Sequence, residues 1–170
     1  QPRQPASVLV ASGSAPTAAA WTELLGQAGF TPLPPAAAAS AASGAISSWQ
    51  RGRWTLLLSQ NRFATWAGWA ELGLATAGTA TEQLAGLGVP CLSLPGPGPQ
   101  FKAGFARRQS RLLGGSVVPC HSQQELALKL HQLLDDPAEC ARRGAMGRER
   151  MGPDGGSAQL AELVEQQLLG

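Results

Sequence analysis

The residues of this chain best suited to chemistry lie in Ala77-Gly78-Thr79-Ala80-Thr81-Glu82-Gln83, where the pattern turns from strand to helix. A glycine there lets backbone approach a ligand closely, and the first N–H groups of a helix, joined by two threonine hydroxyls, suit an anion. The helix end alone contributes only ~0.3–1 kcal/mol per anionic contact. Thr79 and Glu82 also have the spacing of a capping box, which needs no ligand at all, so spacing leaves both readings open.

Several standard sites are excluded by inspection. The only lysines are Lys102 and Lys129, in no GxxxxGK[ST] phosphate loop, and the first strand is followed by no GxGxxG. There is no GxSxG nucleophile elbow, and neither His121 nor His131 has a triad context. Cys91, Cys120 and Cys140 form no CxxC pair and match no zinc spacing with the histidines, so they read as buried thiols; no metal and no cofactor is expected.

The remaining candidates have ordinary structural readings. Arg107, Arg108 and Arg111 on one helix read as a solvated face before a phosphate or anionic-lipid site. Trp66 shares an apolar stripe and reads as core, while Trp69 could flank a sugar. Arg62 lies at a strand end, where reaching a phosphate is the lesser of its two readings.

Elements that would position these residues follow from periodicity. Short apolar runs alternate with helix-period segments, which predicts an α/β domain with a doubly wound parallel sheet and a helical tail. Strands are expected at Val8–Val10, Phe30–Leu33, Leu56–Leu58, Leu72–Thr76, Cys91–Leu94 and Val117–Val118. Helices are expected around Trp21–Ala28, Phe63–Ala70, Gly78–Leu87 and Phe105–Leu113, then from Ser122, from Pro137 and from Ser157. Ser122 and Glu125 have capping-box spacing, and Asp136 precedes a proline suited to a first helical turn. The Ala/Ser tract 34–48 fits either a helix or a long loop, and Pro95-Gly96-Pro97-Gly98-Pro99 fits neither helix nor central strand. Ligands of such sheets lie beyond the carboxyl ends of the strands, at Ser12–Ser14, Ser59–Arg62, Ala77–Gln83 and Pro95–Phe101.

Composition narrows the function classes. The 170 residues fit a single domain; 14% are charged and 44% hydrophobic, an apolar make-up that argues against disorder. A net charge of +2, no tyrosine and 5% aromatics argue against a nucleic-acid reader. The charge-free stretch from Leu24 to Gln50 is broken by Pro32, Pro34, Pro35 and glycines, so no membrane span is expected. The first methionine is Met146 and the chain opens Gln1-Pro2-Arg3, which reads as a fragment of a longer two-domain protein.

Trp54 to Gly114, with LLLSQN, AGTATEQLAGLGVP, PGPGPQF and FARRQSRLLG, resembles the donor-binding half of the lipid A disaccharide synthase-like glycosyltransferases of the GT-B fold. The resemblance implies a Rossmann-like C-terminal half of a GT-B enzyme that binds a UDP-sugar for hexosyl transfer. It further implies an acceptor domain on the N-terminal side that supplies the catalytic base, so these residues alone would be inactive. Gly78, Thr79, Ala80 and Thr81 would receive the diphosphate, with Ser12 and Gly13 in the first loop approaching phosphate. That loop holds no arginine or lysine. The ribose-binding acid of the family falls seven residues before the proline, where this chain has Gln83, with Glu82 one residue early. Gln100 and Phe101 would face the donor sugar. The implied location is cytoplasmic, or peripheral on the inner face of a membrane. Two alternatives stay open: a non-catalytic ligand-sensing or interaction domain on the same fold, and a UDP-N-acetylglucosamine 2-epimerase-like enzyme.

Overall fold

The computed structural model describes residues 4–13, 15–34, 44–76, 78–96 and 103–169. The chain is α/β and divides into two compact units, Gln1–Ala70 and Glu71–Gly170.

In the first unit, β1 (Ala6–Ser12) pairs in parallel with β4 (Trp54–Gln60), which pairs antiparallel with β3 (Ser47–Arg51); the short β2 (Thr31–Pro32) completes the order β1-β4-β3-β2. This sheet is mixed, where periodicity predicted only parallel pairing. The reason is a hairpin. Arg51 pairs with Trp54 across a two-residue turn, and Gly52 takes φ 58°, the conformation that a type II′ turn requires at its first position. Part of the ambiguous 34–48 tract thus becomes strand, at Ser47 and Ser48; residues 35–43 lie outside the described residues.

β4 has strands on both sides, and its apolar Leu56-Leu57-Leu58 run is buried throughout. Helix α1 (Ala18–Gln27), capped by Thr17 Oγ1 on the Ala20 amide at 3.3 Å, sends Leu25 into a core with Trp49, Leu56 and Leu58. Trp21, Val8, Val10 and Phe30 pack around it. The short α2 (Phe63–Ala67) buries Trp66, as its place on the apolar stripe predicts, and leaves Trp69 55% exposed.

The second unit repeats strand and helix in the expected order: β5 (Gly73–Ala75), α3 (Thr79–Gly86), β6 (Cys91–Ser93), α4 (Ala103–Leu112), β7 (Val117–Pro119) and α5 (Gln123–Leu134). Its sheet is wholly parallel, β5-β6-β7. Leu92, Cys120 and Leu133 form the centre of a core against which Leu126, Leu130 and Val118 pack. Burial pushes the Cys91 thiol up to about 12, so Cys91 behaves as a small hydrophobe.

Local caps set the helix boundaries. Ser122 Oγ accepts from the Glu125 amide at 3.1 Å, while Glu125 Oε2 accepts from the amide of His121, one residue outside a capping box, at 2.8 Å. Asp136 Oδ1 accepts from the Glu139 amide at 2.9 Å and starts α6 (Pro137–Met151). Within α6, Arg142 and Arg143 lie 2.6 and 2.8 Å from Glu139 and hold its carboxyl down to about 2.

Helix α6 lies against the carboxyl end of α3 at backbone distance. A Cβ on Gly144 would overlap the Gly88 carbonyl oxygen, and one on Gly147 would lie 2.9 Å from the Ala85 oxygen. The tail forms α7 (Gly156–Val164), continued by a π-type turn at Glu165–Leu169; α7 buries no residue. Among the described residues no helix is long and apolar enough to cross a membrane.

Candidate functional site

The strand-to-helix turn after β5 is built on Gly78. Its φ of 92° and ψ of −161° lie where only glycine sits without strain, and among the described residues a Cβ there would meet nothing within 4 Å. Backbone torsion therefore explains the glycine, and no described residue crowds it.

Gly78 is the N-cap of α3, which makes Thr79 the first helical residue and removes the expected capping box. Among the described residues no side chain caps this helix. Glu82 is engaged elsewhere: its Oε1 accepts from Gln109 Nε2 at 3.2 Å. The same Nε2 donates to the Gly78 carbonyl at 3.3 Å, where the amides of Thr81 (3.0 Å) and Glu82 (3.3 Å) also converge. The exposed Thr79 and Ala80 precede the first amide that bonds back to Gly78, so their N–H groups are the helix's outward donors.

Gln109, on α4 and only 4% exposed, is the residue that sequence reasoning missed. The signal lay within FARRQSRLLG: Ala106 and Gln109 are three apart and both buried, while Arg107, Arg108 and Arg111 are exposed. A glutamine on the buried face of a helix needs polar partners. Both neighbours of its nitrogen are acceptors, which fixes the orientation of the carboxamide and leaves Oε1 buried with no partner among the described residues. Thr81 Oγ1, on a residue 0% exposed, is also without a partner among them.

The other sequence candidates are distributed as follows. Gln83 is exposed on α3, one residue beyond Glu82. Ser12 and Gly13 belong to the first unit, at the carboxyl end of β1, where Ser12 Oγ donates to the Ser59 carbonyl at 3.4 Å and Gly13 is exposed. Arg62 is exposed, and its guanidinium lies against Gly44. Gln100 and Phe101 lie outside the described residues.

The arrangement offers outward amides and a threonine hydroxyl at the positive end of a helix, with one carboxylate a turn inside it. Such donors can hold an anion. Two cavities in the second unit lie away from it: one of about 140 Å³ at Val118, Lys129, Asp136 and Arg143, and an open one of about 440 Å³ at Ala145, Arg148, Gly152 and Pro153. Among the described residues no three His, Cys, Asp or Glu side chains are grouped to hold a metal ion. No protein-family model matches the chain, and no curated protein matches it.

Proposed function

We propose that the second unit binds the nucleotide-sugar donor of a hexosyl transfer, a UDP-sugar, in the manner of the GT-B donor domain its sequence resembles. The observation that carries this reading is the Gly78 turn. A glycine-only torsion opens the start of α3 at the carboxyl end of a parallel strand, with no described residue within 4 Å of its Cβ position and outward amides at Thr79 and Ala80. The diphosphate would sit on those amides, and the exposed Gln83 would reach the ribose hydroxyls. As the donor's diphosphate leaves, the same amides would stabilise its charge. The base that activates the acceptor is assigned to a separate acceptor-binding domain.

The test is a set of Gln83 variants titrated with UDP. A carboxylate accepts hydroxyl bonds more strongly than an amide, so Gln83→Glu tightens UDP binding and Gln83→Ala loosens it, both with little change in melting temperature. A deoxyribose analogue erases the difference. UDP affinity indifferent to position 83 would overturn the ribose assignment.

A second reading has one specific observation in its favour. Glu82 is held by Gln109 inside the first turn of α3, where its charge opposes an anion. A ligand-sensing domain without transfer chemistry would then prefer a neutral ligand, and uridine binding more tightly than UDP would select this reading.

A further inference from the structure

The first turn of α3 carries two groups of opposite effect on an anion. The outward amides of Thr79 and Ala80 attract one, and the carboxylate of Glu82 is placed to compete for the same donors. Side chains on a helix lean toward its N-terminus, so a glutamate in the first turn reaches back to an amide three or four residues earlier. Helix α5 shows that closed arrangement, with Glu125 Oε2 accepting from the His121 amide at 2.8 Å. For Glu82 the corresponding amides are those of Thr79 and Gly78.

In α3 the carboxylate is drawn to α4 instead. Gln109 Nε2 donates to Glu82 Oε1 at 3.2 Å and to the Gly78 carbonyl at 3.3 Å. Gln109 is 4% exposed, and its Oε1 has no partner among the described residues, so the carboxamide is desolvated for what its nitrogen does. Packing alone would favour an apolar residue there.

We propose that Gln109 is a positioning residue, which holds the Glu82 carboxylate on α4 and so keeps the first amides of α3 open to a diphosphate; this rests on the reading of the Gly78 turn as the diphosphate site. The geometry of one peptide unit adds to the effect. Gln109 Nε2 and the amides of Thr81 and Glu82 all draw the Gly78 carbonyl to one side. In a planar trans peptide the N–H lies opposite the carbonyl, so the Thr79 amide faces the other way, outward.

The test is an NMR titration of the full chain and its variants with inorganic pyrophosphate and, separately, with UDP, read at the Thr79 and Ala80 amides. Gln109→Met keeps an apolar chain of similar length and leaves the Gly78 carbonyl its two helix amides, but frees Glu82 to fold back. Pyrophosphate binding should weaken about tenfold. Gln109→Asn, which draws the carboxamide back by one methylene, should do the same. Adding Glu82→Gln to either variant should restore the parent affinity, because no carboxylate is left to occupy the amides; a loss from general loosening of the fold would persist. Unchanged amide shifts in β7 and α5 verify folding. Variants at position 109 that bind as the parent does, or a loss that Glu82→Gln fails to repair, would overturn the proposal. A parent chain that binds pyrophosphate at these amides, and UDP no more tightly, would end the donor reading and leave the role of Gln109 to the variants; amides silent to both ligands would overturn the two together.

Discussion

Replacing Gly144 with alanine tests the packing that holds α6 on α3. The new Cβ would overlap the Gly88 carbonyl oxygen and lie 2.9 Å from its carbon, where unstrained carbon pairs sit at about 3.5–4.0 Å. Both partners are backbone, so no rotamer relieves the clash and the helices must part by about 1 Å. That movement stretches the 2.7 Å bond from Arg148 to Leu87 beyond hydrogen-bonding range. Overpacking costs ~1–3 kcal/mol and the lost bond ~1 kcal/mol, against ~1 kcal/mol gained from alanine's helix propensity. The net loss is ~1–3 kcal/mol, a fall in Tm of roughly 10 °C for a unit of this size. Far-UV circular dichroism is the assay, because all five tryptophans lie between Trp21 and Trp69 and their fluorescence reports the first unit only. Gly104→Ala is the control, since no described residue lies within 4 Å of its Cβ position; it should be neutral or slightly stabilising. A Gly144→Ala protein as stable as the parent would refute the close contact.

Asp136→Ala removes the side-chain cap of α6 and should cost ~0.5–2 kcal/mol in urea denaturation, whereas Asp136→Asn should recover most of it. Cys91, with its thiol pushed up to about 12 by burial, should resist alkylation at pH 8 until the chain unfolds. Because the folded thiol holds its proton more tightly than the unfolded one, whose ordinary value is 9.0, its contribution to stability is complete below pH 9 and is lost as pH rises toward 12. Denaturation midpoints that stay level across that window would contradict the burial.

Where one period dominates, the sequence is readable. Leu56-Leu57-Leu58 and Cys91-Leu92 are apolar runs bounded by turns, and they form strands buried on both faces. Asp136 before Pro137 and Ser122 before Glu125 carry their caps in local chemistry, and both helices begin there. The β3–β4 hairpin escaped because Ser48 and Trp49 are both buried while Gln50 and Arg51 are both exposed, which blurs the two-residue alternation. The adjoining Ala/Ser tract hid the remaining signal, a glycine between Arg51 and Arg53. At the site, Gly78 is legible as a glycine requirement, whereas the capping box that the Thr79–Glu82 spacing allows does not form, because Gly78 is the N-cap. Spacing cannot register that Gln109, 27 residues on, bonds the Glu82 carboxylate.

The most direct test of the central claim is an NMR titration of the isotopically labelled chain with UDP, followed by a UDP-sugar. The account predicts binding with a Kd on the order of millimolar, about 4 kcal/mol, and shifts concentrated at the amides of Gly78, Thr79, Ala80 and Gln83 together with the Gln109 side-chain amide. Gly78→Ala, which forces an L side chain into φ 92°, should erase those shifts while the amides of β7 and α5 keep their positions. Shifts confined to other residues, or no shift at saturating UDP, would contradict the account.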